Sequence, residues 1–349
     1  METILKRDLR RIFQNKYVVF MGDSNMRSIY KDFILLLQEN KLLNDSDRKA
    51  GGNKESICGD ILLEGGIYKN LASGIEYEEK RVFLANIFLV KFIFLTRCQN
   101  DVTSRIFEEF KTDSEKADLV VINSTLWDTS RYGENGEKDF KRNLPLCFDN
   151  LRAATSPTTI ILWLTALPIS AEPNAAVFDE KYRPENKYWR TQFLHINAFS
   201  AELAKKKNCE VLDAHYLFRQ HPELRDTDGC HWNANGHRLI TSYIAQTVSL
   251  IWHVPYIDRN PVDHKERELH RVCYRIINSE NENSIMRTLN GENSQGITDF
   301  DLNTYLATHI PISNETSNEQ NSDRIGAMIG KLNETDRRIL NLMDYYEKQ

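Results

Sequence analysis

The chain has 349 residues, of which 41% are hydrophobic and 27% are charged, a balance typical of globular proteins. This length predicts one large domain followed by a tail. The formal net charge of -5 argues against a general nucleic-acid-binding protein, which would be basic. The longest apolar runs, near residues 92–95 and 160–164, are too short for a transmembrane segment.

Segments typical of strands and helices alternate along the chain. Apolar runs, several rich in β-branched residues, predict strands at 17–21, 91–96, 119–123, 159–165 and 209–212. Apolar residues at helical spacing predict helices at 25–38, 106–111, 139–153, 189–206 and 237–252. Because helices separate the strands, we expect an α/β fold: a flavodoxin-like, three-layer α/β/α sandwich with a mostly parallel central sheet.

Composition divides the chain into four parts. We expect a charged N-terminal extension at 1–15, a folded domain at 16–255 and a linker at 256–278. Residues 279–349 are rich in Asn, Glu and Ser, and they bury too little apolar surface to offset the entropy of ordering. They are predicted to form a flexible polar tail, through which a protein partner could bind. Loop 171–189 is a candidate lid.

The first sixteen residues and the cysteines indicate the compartment. Residues 1–16 are charged and lack the apolar core of a secretory signal. The six cysteines are scattered, without metal-ligand spacing, and we expect free thiols rather than disulfides. The sequence therefore predicts a cytoplasmic protein, with the nucleus as an alternative, and neither a metal nor a cofactor is expected.

Gly22-Asp23-Ser24 directly follows the first predicted strand and precedes a helix. A serine here would lie at the carboxyl end of a strand, where open α/β sheets bind ligands. Its backbone N–H would lie at a helix N-terminus, so one residue could supply a nucleophile and an oxyanion donor. The alternative is a helix N-cap without a catalytic role.

Asp228-Gly229-Cys230-His231 lies between the last predicted strand and the last helix. A nucleophilic serine needs a base, and the base needs a carboxylate that orients it. A D-x-x-H loop can supply both, although a solvated polar turn would look the same. The rival bases are His215, His221 and His237, and the rival carboxylate is Asp226.

Asn123 ends a third predicted strand, and its amide could donate to a developing oxyanion. A strand-terminating Asn without a catalytic role is the alternative. Trp127 follows four residues later and could bind substrate, although large aromatic residues more often serve packing.

At these residues the chain resembles the SGNH (GDSL-like) hydrolases, and most closely the PC-esterase domain-containing protein 1 family. The similar segments span about residues 16–255 and occur in the same order as in that family. It lies in VVFMGDSNMRSIYKDFILLLQ, FIFLTR, DLVVINSTLWDTSRYG, VLDAHYLFR and DGCHWNANGHR. The resemblance implies that Ser24 is the nucleophile, His231 the base and Asp228 its orienting carboxylate. It also implies that Asn123 and the Ser24 amide bind the oxyanion.

The chain departs from the SGNH pattern in the second block, where such enzymes usually place a glycine donor. Gly65-Gly66 is the nearest candidate, and Gly66 is taken here as the third oxyanion donor. Arg97, at the end of a predicted strand, is a candidate anion clamp for the substrate, with a structural arginine as the alternative.

The resemblance predicts an acyl ester hydrolase acting through an acyl-serine intermediate on small acyl esters or O-acylated molecules. One alternative is a catalytically weak or inactive protein that uses the SGNH fold for binding or as a scaffold. A second alternative is an O-acyltransferase, in which a sugar or alcohol replaces water as acceptor.

Overall fold

The computed structural model describes residues 3–70, 74–85, 87–178 and 188–254. The predicted linker at 256–278 and the predicted tail at 279–349 lie outside the described residues.

The described part of the chain is built around a seven-stranded sheet in the order β2-β3-β4-β1-β5-β6-β7. The strands are β1 (Lys16–Gly22), β2 (Ile61–Gly65), β3 (Glu79–Ala85), β4 (Phe88–Phe94), β5 (Leu119–Ile122), β6 (Ile160–Leu164) and β7 (Glu210–Leu212). Strand β3 is antiparallel to β2 and β4, whereas β4, β1, β5, β6 and β7 are parallel. The carboxyl ends of these five strands therefore meet at one edge of the sheet.

Helices cover both faces of the sheet. The α-helices of the described residues are α1 (Lys6–Phe13), α2 (Ser24–Gln38), α3 (Asp45–Lys49), α4 (Asp101–Thr112), α5 (Thr125–Ser130), α6 (Gly136–Ala154), α7 (Trp189–Lys206), α8 (Ala214–Phe218) and α9 (Ala234–Ile251). One apolar core joins α1, α2 and α9 to one face, and a second joins α4, α6 and α7 to the other. The predicted three-layer α/β/α sandwich with a mostly parallel sheet is confirmed.

The alternation of side chains along β1 explains why a continuous apolar run builds a central strand. Val18 and Phe20 pack into the core beneath α2, whereas Tyr17, Val19 and Met21 pack into the core of the opposite face. All five are at most 3% exposed. A parallel strand covered on both faces needs apolar residues at every position.

The segment predicted as an N-terminal extension contains α1. Leu9, Ile12 and Phe13 of this helix are at most 1% exposed and belong to the core shared with α2 and α9. The Phe13 ring packs edge-on against the Phe33 ring, with 4.8 Å between centroids. Packing of the domain thus begins before residue 16.

Candidate active site

The end of β1 and the start of α2 place Ser24 at the carboxyl edge of the sheet. A Cβ on Gly22 would lie 2.7 Å from the Asn123 carbonyl oxygen and 2.7 Å from Met26 Cβ, so only glycine lets these backbones approach. Asp23 is the N-cap of α2, and its Oδ1 accepts the N–H of Asn25 at 2.8 Å and that of Met26 at 3.4 Å. Ser24 is therefore both next to a cap and on the first turn of a helix.

Ser24, His231 and Asp228 form a continuous chain of side-chain contacts. Ser24 Oγ lies 2.7 Å from His231 Nε2, although the residues are 207 positions apart. His231 Nδ1 lies 2.5 Å from Asp228 Oδ2. Because the carboxylate can only accept, the Nδ1–H of a neutral imidazole donates to it, and Nε2 is left to accept the serine proton.

The Asp228 carboxylate is also held by its own loop. Its Oδ1 accepts the backbone N–H groups of Cys230 and His231, both at 2.9 Å. Burial raises the pKa of Asp228, but the hydrogen bonds from the His231 ring and from these two N–H groups outweigh burial and hold the pKa well below its usual value. The carboxylate is thus ionised at neutral pH.

The loop that carries Asp228 and His231 packs against the segment after β6. The N–H groups of Ser170 and Asn174 donate to the carbonyls of Gly229 and Asp228 at 2.8 and 3.0 Å. Gly229 has φ +74°, and a Cβ there would lie 2.0 Å from Ser170 Oγ. Asn174, which lies in the candidate lid, and Ser170, which precedes it, therefore brace the loop that carries Asp228 and His231. Residues 179–187 of the candidate lid lie outside the described ranges.

The three predicted oxyanion donors differ in what they already bind. The Ser24 N–H lies in the first turn of α2, where N–H groups have no partner within the helix. Asn123 Nδ2 donates to the Leu164 carbonyl at 2.6 Å and to Thr125 Oγ1 at 3.3 Å. The Gly66 N–H donates to the Glu78 carbonyl at 2.9 Å, so in this conformation it is not available to an oxyanion.

Gly66 has a structural reason to be glycine. Its φ is +50°, and a Cβ would lie 2.3 Å from the Gly52 carbonyl oxygen. That same carbonyl accepts the N–H of Ile67 at 2.9 Å. Glycine at position 66 therefore lets this backbone pack against the backbone of Gly52. The geometry does not support a role for Gly66 as an oxyanion donor.

Arg97, predicted to bind substrate, has protein partners. Its Nη2 donates to Asp139 Oδ2 at 2.8 Å, and its Nε lies 3.5 Å from Asp128 Oδ1. The guanidinium also lies 4.2 Å from the centroid of the Tyr132 ring. Two carboxylates already balance this cation, so the contacts favour the structural alternative over an anion clamp.

Trp127, the second predicted substrate-binding residue, lies in the core. It is 8% exposed, and its ring packs edge-on against Phe94 with 5.2 Å between centroids. The Arg131 guanidinium lies 4.7 Å from the indole centroid. These contacts favour packing, the alternative considered from the sequence.

The rings of the three rival bases do not contact the Ser24 hydroxyl, and two of them bind other groups. His215 Nδ1 lies within hydrogen-bond distance of Asn197 Nδ2 and the Ala166 carbonyl, and His221 Nδ1 lies 3.0 Å from Glu223 Oε1. His237 is 1% exposed, with neither ring nitrogen paired among the described residues. Of the four histidines considered as bases, His231 is the one whose ring contacts the Ser24 hydroxyl.

Asp226, the rival carboxylate, pairs with Arg48 and not with an imidazole. Arg48 Nη1 donates to Asp226 Oδ2 at 2.5 Å. Sequence reasoning missed Arg48, because it lies in a segment read as a loop and 178 positions separate it from Asp226. No local pattern signals a contact of that range.

The described ranges contain no group of three or more His, Cys, Asp or Glu residues placed to hold a metal ion. No helix within them has the length and apolar character needed to cross a membrane. Five of the six cysteines lie in these ranges, and each is a free thiol: Cys58, Cys98, Cys147, Cys209 and Cys230.

Comparison with known proteins gives curated relatives but no matching family model. Human PC-esterase domain-containing protein 1B is 35% identical over 256 residues, which cover 73% of this chain and 59% of the relative. Mouse PC-esterase domain-containing protein 1A is 34% identical over 258 residues, covering 73% and 57%. The chain thus spans somewhat under two thirds of the length of the curated relatives it matches.

Solved structures of esterases are also similar to this chain at low identity. A peptidoglycan O-acetylesterase matches 72% of this chain and 96% of its own, with 10% identity and a TM-score of 0.44. The acetylxylan esterase Axe2 from Geobacillus stearothermophilus matches 72% and 100%, with 10% identity and a TM-score of 0.38.

The sheet order, the serine at the first strand–helix junction and the Asp-x-x-His loop before the last helix define a three-layer α/β/α protein with a serine, a histidine and an aspartate in contact at the carboxyl edge of its sheet. Over the stretch that it shares with its curated relatives, the chain is similar to the PC-esterase domain-containing protein 1 family, as its sequence motifs predict.

Proposed function

We propose that this chain is a serine esterase that hydrolyses acyl esters through an acyl-Ser24 intermediate. The observation that carries the proposal is the relay from the Ser24 hydroxyl to His231 Nε2, at 2.7 Å, and from His231 Nδ1 to Asp228, at 2.5 Å. Names of the curated relatives, which contain the words PC-esterase, agree with this reaction class. The substrate proposed is a small acyl ester or an O-acylated molecule.

The proposed reaction has two halves, formation and hydrolysis of acyl-Ser24, and His231 transfers a proton in both. Ser24 Oγ attacks the acyl carbon while its proton passes to His231 Nε2, and the carbonyl oxygen becomes an oxyanion. The imidazolium, stabilised by Asp228, then gives that proton to the departing alcohol, which leaves acyl-Ser24. Water attacks the acyl carbon with His231 as base, and release of the acid restores the serine hydroxyl.

Labelling with a fluorophosphonate probe tests the nucleophile. We expect the probe to modify Ser24 of the folded protein, and Ser24→Ala and His231→Ala to abolish labelling. Ser28→Ala is the matched control, because Ser28 lies one turn further along α2 and its Oγ donates to the Ser24 carbonyl at 3.1 Å. Absence of labelling in the wild-type protein would refute the proposal.

Turnover gives a second measure of the same proposal. Loss of a triad nucleophile lowers kcat by on the order of 10⁴-fold or more. Hydrolysis of an activated acetyl ester by Ser24→Ala at the wild-type rate would show that the triad does not act as proposed.

A second candidate function is ester binding with little turnover. It is favoured by the amide of Asn123, which donates to Leu164 and Thr125, and by the Gly66 N–H, which donates to Glu78. Loss of one oxyanion donor costs about 10²–10³ in kcat. This candidate expects equal, slow hydrolysis by the wild type and Ser24→Ala, with the two proteins binding a non-hydrolysable ester analogue equally well.

A further inference from the structure

Helix α3 lies between the helix that carries the nucleophile and the loop that carries the base. It lies between α2 and β2, in a stretch for which the sequence analysis predicts neither a helix nor a strand. The N-cap of α3 is Asn44, whose Oδ1 accepts the Asp47 N–H at 2.8 Å. A five-residue helix has little stability of its own, so its position depends on contacts at its ends.

Lys31 of α2 fixes the C-terminal end of α3. Its Nζ donates to the carbonyls of Asp47, Arg48 and Ala50 at 2.7, 2.8 and 2.6 Å. The side chain is fully buried, and its three acceptors match the three donors of an ammonium group. Since Ser24 lies two turns earlier on the same helix, α3 is anchored to the element that carries the nucleophile.

Arg48 extends this anchor to the base loop. Its Nη1 donates to Asp226 Oδ2 at 2.5 Å and lies 3.4 Å from the Trp232 carbonyl oxygen. The Arg48 side chain is 8% exposed and that of Asp226 is 27% exposed. Arg48 Nη2 also donates to Asp45 Oδ1 at 3.3 Å, but the Asp45 side chain is 80% exposed and water screens that pair. The shielded pair with Asp226 is screened less, so it is the stronger of the two links.

Asp226 in turn sets the shape of the loop that holds Asp228 and His231. Its N–H donates to the His231 carbonyl at 2.7 Å, and its own carbonyl accepts the Gly229 N–H at 3.1 Å. Both bonds close the turn from 226 to 231. A displacement of Asp226 therefore moves the backbone from which the imidazole projects.

We propose that Arg48 is a positioning residue, which holds His231 at hydrogen-bond distance from Ser24 by way of Asp226. The contact chain runs from α2 through Lys31 and α3 to Arg48, so one helix sets the position of both nucleophile and base. The effect on catalysis rests on the proposed esterase function. A misplacement of about 1 Å costs on the order of 10²-fold in rate, and we expect loss of the pair to lower kcat by about 10- to 100-fold.

The kinetic test compares Arg48→Met and Asp226→Asn with Lys49→Met. Lys49 is the exposed neighbour of Arg48 on α3, so the control removes the same charge from the same helix. With an activated acetyl ester, Arg48→Met and Asp226→Asn should lower kcat while KM stays within about 2-fold, and Arg48→Lys should recover part of the loss. Lys49→Met should match the wild type.

A second readout does not depend on turnover. The proton between His231 Nδ1 and Asp228 Oδ2 lies in a 2.5 Å contact and should give a far-downfield NMR resonance. We expect this resonance in the wild type and Lys49→Met, and its loss or broadening in folded Arg48→Met. Should Arg48→Met fail to fold, Asp226→Asn carries the same test.

The two readouts separate failure of this inference from failure of the proposed function. If the wild type neither reacts with the probe nor hydrolyses esters, the esterase proposal fails, whereas the resonance still reports on Arg48. If Arg48→Met and Asp226→Asn keep both the resonance and the wild-type kcat, Arg48 has no positioning role.

Discussion

At the scale of the residue, the proposed mechanism gives Asp228 two roles, to orient His231 and to balance the charge that the imidazole acquires. One carboxylate oxygen accepts from the ring, and the other accepts from two backbone N–H groups of the same loop. Burial raises its pKa, yet these hydrogen bonds keep the pKa far below the usual value. The group therefore stays ionised throughout the pH range in which a His base works.

Asp228→Asn should remove both of these roles while it leaves the loop in place. An Asn at this position can donate to Nδ1, which would stabilise the tautomer whose Nε2 carries the proton and cannot accept from Ser24. We expect kcat to fall by on the order of 10³- to 10⁴-fold. Steady-state hydrolysis of an acetyl ester measures the change; a loss smaller than 10-fold would contradict this role for the carboxylate.

The site could be predicted from sequence where its parts are local. Ser24 follows a short buried strand, and Asp228 and His231 share one turn, so spacing and flanking elements were informative. The roles given to Gly66, Arg97 and Trp127 depend on what surrounds each side chain. Their partners lie far away in the sequence, and no local pattern shows whether an N–H or a guanidinium is already engaged.

At the scale of the element, buried charge explains what sequence patterns missed. Strand β3 is absent from the predicted strands, because Glu79 and Arg81 interrupt its apolar alternation while both are fully buried and paired with each other. Helix α1 places Leu9, Ile12 and Phe13 on one face at helical spacing, and the sequence prediction overlooked this pattern because five of its eight residues are charged. The strands and helices with unbroken apolar faces were predicted, with boundaries that differ by a few residues.

A buried ion pair joins the first and last helices that flank the active site. Arg238 Nε lies 3.1 Å from both carboxylate oxygens of Asp32, and its Nη2 donates to the Lys41 carbonyl at 2.5 Å. Asp32 is fully buried and the Arg238 side chain is 6% exposed. Burial raises the pKa of Asp32, and Arg238 opposes that rise, so each charge depends on the other.

Arg238→Met should therefore lower the free energy of unfolding by about 3–5 kcal/mol, because it leaves an unbalanced carboxylate in the core. The matched variant Asp32→Leu/Arg238→Met removes both charges and should cost less than the single substitution. Urea unfolding followed by circular dichroism measures both values. Asp32→Leu completes the cycle, and a loss in the double variant equal to the sum of the two single losses would show that the pair is not coupled.

At the scale of the whole molecule, the described residues include a histidine that must stay neutral for the fold to persist. His237 is 1% exposed, and both ring nitrogens lack partners among the described residues. Burial lowers its pKa to about 3, and the nearby positive charges of Arg48 and Lys31 act in the same direction. In the unfolded chain the His237 imidazole has its ordinary pKa of about 6.5.

This difference predicts a loss of stability in acid. Between pH 6.5 and pH 3 the unfolded chain binds a proton that the folded protein excludes, so the contribution is intact above about pH 6.5 and falls as the pH drops toward 3. At about 1.4 kcal/mol per pH unit, the loss between pH 6.5 and pH 5 is about 2 kcal/mol.

His237→Gln isolates that contribution, because a neutral amide of similar length cannot take up the proton. Asp60 and Asp128, whose burial raises each pKa to about 6, change stability in the opposite direction over part of this range. They are present in both proteins, and they cancel in the difference. We expect the difference in unfolding free energy, variant minus wild type, to rise by about 2 kcal/mol from pH 6.5 to pH 5, whatever its value at neutral pH. A difference that stays constant with pH would show that the imidazole at position 237 is not kept neutral by the fold.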